Sequence, residues 1–193
     1  MSDATPPPSE AAAPEPPVLA RLRERFSSAL VTTHAYRGDA TAEIAPASLL
    51  EVCAFLRDDP ALAFDFLVDV TAVDYIGTVP RFEVVYHLYS TARNHRLRVK
   101  ARVAEESPRI ASLVPIWRGA DWLERETFDM YGIQFEGHPN LRRIYLYEEF
   151  QGHPLRKDYP KEKRQPLVTR HDVGAPEAER TDARERERYG RWQ

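Results

Sequence analysis

The stretch RLRVKARVA, residues 96–104, alternates apolar and basic side chains with a period of two. This alternation is typical of a β-strand, because successive side chains of a strand point to opposite faces of its sheet. The apolar set is Leu97, Val99, Ala101 and Val103, and the basic set is Arg96, Arg98, Lys100 and Arg102. We therefore expect one sheet face in a core and the other in solvent. A phosphate- or lipid-facing basic patch is the alternative.

Two further β-rich runs come before this strand, FDFLVDVTAVDY at 64–75 and RFEVVYHLYS at 81–90. Upstream, LVTTHAYR and ATAEIA flank Gly38 and Asp39, a turn pair that predicts a hairpin. Apolar spacing predicts helices over 18–30 and 46–59, with Cys53 as a small core residue, and a third helix from about 108 to 131. The order predicts an α+β fold: a mostly antiparallel sheet with helices packed on it, followed by a long extended C-terminal segment.

Composition is that of an ordinary globular protein, with 193 residues, 42% of them hydrophobic and 30% charged. The net charge of −3 argues against a dedicated nucleic-acid binder, and a single cysteine excludes an intramolecular disulfide and a cluster of thiolate ligands. Residues 1–17 are rich in Pro and Ala, which predicts a disordered tail and not a signal peptide. No apolar run approaches the ~20 residues of a membrane span, so we expect something else to hold the protein at any membrane where it works.

Carboxylates fall on the apolar stripe of the third predicted helix. The stripe consists of Ile110, Leu113, Val114, Trp117, Asp121, Glu124, Phe128 and Tyr131. A carboxylate on a buried face needs a cation or hydrogen-bond donors. Arg125 could bridge Asp121 and Asp129, which lie four residues to either side of it. A salt-bridged helix at the domain edge, arginines arriving from downstream or from another subunit, and a catalytic carboxylate pair are the alternatives.

The C-terminal segment, residues 133–166, contains a near repeat. The first block, GHPNLRR at 137–143, and the second block, GHPLRK at 152–157, each place a His before a Pro and a basic pair after it. Gly and Pro exclude a long helix, and the many apolar residues argue against disorder. His138 and His153, with His171, could contribute to a metal site, and basic-aromatic mixtures also occur in single-strand nucleic-acid grooves. A docking segment whose arginines meet carboxylates of protein fits the composition best.

The sequence ERETFDMYGIQFEGHPNLRRI at 124–144, followed by GHPLRKDYP at 152–160, resembles the signature of the 30 kDa subunit family of respiratory complex I, which in bacteria is the C subunit of NADH-quinone oxidoreductase. The layout matches over roughly 18–166, and the motif is most specific over 124–160. The resemblance implies an accessory subunit, without a cofactor of its own, in the peripheral arm of a proton-translocating NADH:quinone oxidoreductase on the cytoplasmic side of the plasma membrane. FMN, iron–sulfur clusters and quinone are then expected in partner subunits.

The same resemblance implies that the C-terminal segment docks on the quinone-site subunit, known by its mass as the forty-nine-kilodalton type, near the neighbouring iron–sulfur subunits. Membrane association would come only through the complex, and no nucleic acid would bind. The residues that we expect in docking are Glu124, Arg125, Glu126, Asp129, Phe135, His138, Arg142, Arg143, His153, Arg156, Lys157, Asp158 and Tyr159. The predicted division is a tail at 1–17, an α+β domain at 18–132, the docking segment at 133–166 and a charged tail at 167–193.

Two alternative functions stay open at this point. Family relatives in membrane-bound hydrogenases and other donor:quinone oxidoreductases share the motif. A stand-alone acid–base or metal hydrolase that uses His138, His153 and Glu124 belongs to a different class. Purification distinguishes the classes: a subunit should behave poorly alone and co-purify with the quinone-site subunit, whereas a hydrolase should be soluble, self-contained and metal-responsive.

Overall fold

The computed structural model describes residues 16–166. The helices of this region are α1 (Pro17–Phe26), α2 (Leu49–Asp58) and α3 (Ala120–Tyr131), and a 3-10 turn at Pro46–Ser48 leads into α2. The strands are β1 (Leu30–Tyr36), β2 (Asp39–Ile44), β3 (Phe66–Asp74), β4 (Phe82–Ser90), β5 (His95–Val103), β6 (Arg109–Ala111) and β7 (Gln134–Glu136). None of the helices in this region is long and apolar enough to cross a membrane.

Five strands form one sheet in the order β1-β2-β5-β4-β3, and β6 pairs with β7 beside it. The β1–β2, β3–β4 and β4–β5 pairs are antiparallel, whereas β2 runs parallel to β5. The β3–β4 pair ends with Asp74 opposite Phe82, and a bulge after Leu67 shifts its register. The predicted α+β class with a mostly antiparallel sheet is confirmed.

The helices and the alternate apolar residues of the sheet form one core. Its fully buried side chains include Leu22, Ile44, Leu49, Val52, Leu56, Phe64, Phe82, Val84, Tyr86, Val99 and Leu113. Burying one such aliphatic or aromatic side chain stabilises the fold by roughly 1.5–3 kcal/mol. Cys53 is also fully buried, as the helical spacing predicts, and burial raises the pKa of its thiol well above the ordinary value.

The opposite face of the sheet carries the basic set of β5. Lys100 Nζ lies 2.9 Å from Glu83 Oε1, and Arg102 Nε lies 3.3 Å from Glu43 Oε1. Acidic residues of β4 and β2 therefore stand beside the cations and neutralise part of their charge. These contacts favour a solvated sheet face over a phosphate- or lipid-binding patch.

The first hairpin forms, but its turn lies one residue earlier than predicted. Arg37 and Gly38 have φ angles of 52° and 90°, and Asp39 already pairs with Tyr36. Two consecutive positive φ angles are what a type I′ turn requires, and the twist of that turn suits a β-hairpin.

The predicted helix over 108–131 is wrong in its first half. Strand β6 pairs with β7, and α3 begins only at Ala120. Pro115 lies between them, and a proline inside a helix removes a hydrogen bond and clashes with the preceding turn. Ile110, Leu113 and Trp117 still reach the core, because a strand and a turn can bury the same stripe of side chains. Helix α1 likewise ends at Phe26.

The C-terminal segment continues from β7 through turns and bends, without a further helix or strand up to Pro166. It is attached to α3 and to the end of the sheet where β3 and β4 meet, through Asp129 and Asp74 respectively. Most of the predicted N-terminal tail and all of the predicted tail at 167–193 lie outside the described residues.

Candidate functional site

The end of α3 receives a complete set of hydrogen bonds, most of them from the second block. The last four carbonyl groups of a helix have no partner within the helix. Here the donors are Gly132 N to Phe128 O (2.8 Å), His153 Nδ1 to Asp129 O (2.9 Å), Leu155 N to Met130 O (3.1 Å) and Arg156 Nε to Tyr131 O (2.6 Å). The second block is therefore the C-terminal cap of this helix.

Gly132 permits the close approach of the second block. Its φ of 76° is left-handed, and a β-carbon at this position would lie 2.6 Å from the His153 ring and 2.8 Å from the Arg156 guanidinium. The left-handed conformation favours glycine, which is common just after the last helical residue. Any side chain here would strain the backbone and displace the cap.

The His153 ring is half-buried and meets Phe128 edge-on, with ring centroids 6.2 Å apart. Burial, together with the nearby arginines, lowers the pKa of the imidazole below its ordinary value. The ring is therefore neutral at pH 7 and donates through Nδ1 to the helix. Its role in this geometry is to hold the second block against α3.

Asp129 is a buried carboxylate that binds the part of the C-terminal segment directly after the first block. Its Oδ2 accepts from the backbone N–H groups of residues 144, 145 and 146 at 3.0, 2.9 and 3.0 Å. Arg143 Nη1 donates to Oδ1 at 2.8 Å. Burial alone would raise the pKa of Asp129, but these hydrogen bonds hold it below its ordinary value. The expectation that a downstream arginine meets a helix carboxylate is confirmed for this pair.

The first block contacts the other end of α3. His138 Nε2 donates to Asp121 O at 3.1 Å, while Nδ1 accepts from Asn140 N at 3.0 Å. The His138 side chain is shielded from solvent. Each Gly-His-Pro block therefore uses its histidine to bond a backbone carbonyl of the same helix.

Arg125 does not bridge Asp121 and Asp129, so that prediction is wrong. Its Nε and Nη2 donate to the carbonyls of Arg142 and Arg143, both at 3.2 Å. The competing carboxylate, Asp129, is already occupied by backbone N–H groups and by Arg143. Arg125 therefore ties the end of the first block to the helix.

A second buried ionic cluster, centred on Arg81, was not predicted. Arg81 is 3% exposed and makes two bonds to Asp74, at 2.8 and 2.7 Å, and two to Asp158, at 2.8 and 3.2 Å. Glu105 accepts a further bond at 2.6 Å, and Lys157 N donates to Asp74 at 2.7 Å. Hydrogen bonds from Arg81 lower the pKa of Asp74. The cluster fixes the end of the second block to the sheet.

A sequence signal for this cluster exists. Asp74 continues the alternation of Val70 and Ala72 on the buried face of β3, so the reasoning applied to the helix carboxylates also demands a cation for it. Arg81 stands at the other side of the β3–β4 turn.

Glu124 is buried in the helix–turn contact, and no arginine of residues 16–166 bonds to it. Ser112 Oγ and Leu113 N each donate to its carboxylate at 2.6 Å. Burial raises its pKa to about 7, although these two hydrogen bonds oppose the rise. Of the two kinds of partner expected for a carboxylate on the apolar stripe, Glu124 therefore has hydrogen-bond donors and not a cation.

The remaining predicted docking residues fall into two groups, those packed against the chain's own domain and those exposed to solvent. Phe135 is buried in the core, and Tyr159 stacks on Phe150 with ring centroids 6.2 Å apart. Glu126 is partly buried on α3, whereas Arg142 and Lys157 are exposed. Most of the thirteen therefore hold the C-terminal segment to its own domain, and a smaller group faces outward.

The geometry does not bring His138, His153 and Glu124 together. The histidines bond carbonyls eight residues apart on α3, which is about 12 Å along the helix axis. Glu124 points into the core with both oxygens occupied. Among residues 16–166 no group of three His, Cys, Asp or Glu side chains could hold a metal ion. The stand-alone hydrolase therefore has no assembled site in this region.

Comparison with known proteins gives evidence on the family of this chain that is independent of the geometry. A family model described as "Respiratory-chain NADH dehydrogenase, 30 Kd subunit" matches residues 42–165. The NADH-quinone oxidoreductase C subunit of Roseiflexus castenholzii is 50% identical over 145 residues, which are 75% of this chain and 83% of that protein. The corresponding protein of Citrifermentans bemidjiense is 51% identical over 142 residues, 74% of this chain and 87% of that protein.

Solved structures resemble the chain as well. The trypsin-resistant fragment 1–134 of Nqo5 has a TM-score of 0.57 and 32% identity, covering 64% of this chain and 99% of the fragment. A chain of an archaeal membrane-bound sulfane sulfur reductase shares the fold, with a TM-score of 0.66, 18% identity, and coverage of 90% of this chain and 89% of that one. Since the family model spans more than half of the chain and the two bacterial relatives match most of it, the chain belongs to the 30 kDa subunit family of the respiratory-chain NADH dehydrogenase.

Proposed function

We propose that this chain is a structural subunit of the peripheral arm of a proton-translocating NADH:quinone oxidoreductase, and that its C-terminal segment docks on the quinone-site subunit. The observation that carries the proposal is the way the segment is built. Buried carboxylates of the chain's own domain hold it in one shape, while Tyr145 and Leu155 remain 66% and 51% exposed. A segment whose conformation is fixed by its own domain, and which still exposes apolar side chains, is suited to binding another protein.

Preorganisation lowers the cost of such binding. Ordering a flexible side chain at an interface costs about 0.5–1.5 kcal/mol, and a disordered segment must also order its backbone. Here Asp129 and Arg125 already fix the backbone of residues 142–146. Little conformational freedom is left to lose when a partner arrives.

The predicted docking residues then act in two ways. Asp129, Arg143, His153 and Arg156 shape the segment through bonds to its own domain, and the exposed Arg142 contacts the partner. FMN, iron–sulfur clusters and quinone belong to partner subunits in this proposal, and this chain contributes geometry. It reaches the cytoplasmic face of the membrane only as part of the complex.

The test is to purify the tagged chain from membranes and identify its companions after native electrophoresis. The quinone-site subunit should co-purify, Arg142→Ala should lower the yield of complex, and Arg156→Ala should lower it by uncapping α3. Arg93→Ala is the control, because Arg93 is exposed in the turn between β4 and β5, where it donates to Pro60 O at 2.8 Å, at the other end of β4 from Arg81. Unchanged yields in both test variants would contradict docking through this segment. Recovery with hydrogenase subunits instead would assign the chain to the related complexes.

A further inference from the structure

An exposed tryptophan stands beside the C-terminal segment. Trp122, in the first turn of α3, is 68% exposed, and Tyr145 is 66% exposed. Tryptophan is on average a highly buried residue, and its ring removes 150–250 Å² from water when it is covered. Exposed aromatic side chains that share one surface, as opposed to scattered single ones, indicate a place that another molecule covers.

Both aromatic residues are connected to one face of α3: Trp122 lies on that face, and Asp129 of the same face accepts from the backbone N–H of Tyr145. Trp122 and Asp129 are seven residues apart, which places them within about 20° of each other around the helix axis. The C-terminal segment covers this face over Arg125 and Asp129, and leaves it open at Trp122. Trp122 therefore lies just beyond the part of this helix face that the segment covers. The edge of the segment and the uncovered helix face at Trp122 together form a step on the protein surface.

This step is rigid. The Arg125 guanidinium lies 5.9 Å from the centre of the Trp122 ring and donates to the carbonyls of Arg142 and Arg143. The backbone of Tyr145 is held by Asp129 at 2.9 Å. One arginine thus links the exposed tryptophan to the backbone that presents Arg142 and Tyr145.

Arg142 supplies the charge of the step. Its backbone carbonyl is held by Arg125, its side chain is exposed, and no carboxylate among residues 16–166 pairs with its guanidinium. Trp, Tyr and Arg are the residue types most enriched among those that dominate the binding energy of protein interfaces. A partner surface that fits has a carboxylate for the guanidinium, with apolar area on either side of it for the two rings.

We propose that Trp122, Arg142 and Tyr145 are the anchor that takes a carboxylate-bearing, otherwise apolar surface of the quinone-site subunit, an inference that rests on the function proposed above. The histidines and the buried arginines of the two blocks then act behind this anchor. Other occupants are a second copy of the chain and residues 167–193 of the same chain. Pro166, the last described residue before that stretch, accepts a hydrogen bond from the Tyr147 hydroxyl at 2.9 Å.

Site-specific photo-cross-linking in the assembled complex tests the anchor. A benzophenone amino acid is placed at position 122, at position 145, or at the control position 36, where Tyr36 is 60% exposed on the outer strand of the sheet. Positions 122 and 145 should both link to the quinone-site subunit, and position 36 should not. Links to residues 167–193, to a second copy or to nothing would overturn the anchor while the chain stays in the complex. Absence of the position-36 control protein from the complex would instead overturn the proposed function.

Substitutions provide a second readout that does not depend on cross-linking. Trp122→Ala and Arg142→Glu should each lower the fraction of chain retained in the complex by about tenfold, as for a residue that dominates an interface, whereas Arg142→Lys and Tyr36→Ala should retain it. Unchanged melting temperatures of the purified full-length variants separate a lost contact from a lost fold. Full retention of both Trp122→Ala and Arg142→Glu would overturn the anchor.

Discussion

The α+β domain and the C-terminal segment are held in place by different forces. In the domain, apolar side chains of the helices and the sheet exclude water from one core. The segment is held instead by two buried carboxylates of the domain, because Asp129 binds the Arg143 guanidinium and the backbone N–H groups of residues 144–146, and Asp74 binds the backbone N–H of Lys157. Apolar cores tolerate volume-conserving changes, whereas a buried ion left without its partner is strongly destabilising. The attachment of the segment to the domain should therefore be more sensitive to a single polar substitution than the core is to a volume-conserving apolar one.

Arg81→Ala is the strongest way to test this difference. It leaves the fully buried Asp74 without its cation and frees Asp158, so we expect a loss of about 3–5 kcal/mol in the free energy of unfolding. Urea unfolding of the full chain measures the loss, and limited proteolysis reports release of residues 157–158. Arg109→Ala, which removes an exposed cation, should cost less than about 0.5 kcal/mol. Equal losses in both variants would contradict the importance of the buried cluster.

The pH dependence of stability separates Glu124 from the carboxylates of the segment. Its folded pKa of about 7 lies above the ordinary value of 4.5, so the folded state binds the proton more tightly than the unfolded state. Stability should therefore fall as pH rises from 4.5 to 7, by on the order of 3 kcal/mol in total, and then level off. Asp74 and Asp129 have lowered pKa values, remain ionised throughout this window and lose their contribution only in more acidic solution.

Glu124→Gln is the matched variant for that pH dependence. Its amide can still accept from Leu113 N and bond the hydroxyl of Ser112, but it cannot titrate. Thermal unfolding at several pH values should show a flatter profile between 4.5 and 7 than in the unsubstituted protein. Parallel profiles for the two proteins would show that another group titrates in this range.

Gly132→Ala tests the contact between α3 and the second block. We expect a loss of about 2 kcal/mol or more, because a left-handed alanine is strained by about 1 kcal/mol and its β-carbon would meet His153 and Arg156. Gly77→Ala is a matched control, since Gly77 also has a positive φ, of 85°, but open space around it. The difference between the two variants isolates the cost of displacing the cap. No difference would mean that the block does not press on Gly132.

Arg125→Ala should have the smallest effect of the four. Two hydrogen bonds to backbone carbonyls are lost, each worth about 1 kcal/mol or less at a partly exposed site. The global melting temperature should therefore change little, while proteolysis within residues 142–146 becomes faster. Arg125→Lys, which keeps the charge but not the forked donor, should resemble the alanine variant. Proteolysis no faster than in the unsubstituted protein would show that Arg125 does not hold this part of the segment in place.

The sheet was predictable from the sequence because its signal is local. Alternation along β5 and the apolar spacing in α2 each need only a few neighbouring residues. The extent of α3 was not predictable, because a strand followed by a turn buries Ile110, Leu113 and Trp117 as well as a helix would. The presence of a partner for the buried Glu124 was predictable from the cost of burying a charge. The partners of Arg125, and the contact of Arg81 with Asp158, depend on residues 17 or more positions away, whereas Asp74 lies only seven residues from Arg81.

The cap on α3 also orders events during synthesis. Asp129 and His153, which bond to each other, are 24 residues apart in the chain. While a ribosome is still adding residues 133–152, the last turn of α3 has carbonyl groups that only water can satisfy. Termination or cleavage before residue 156 would leave that turn frayed and the anchor misplaced. All carbonyl groups of the last turn of α3 can therefore find protein donors only after the second block has been synthesised.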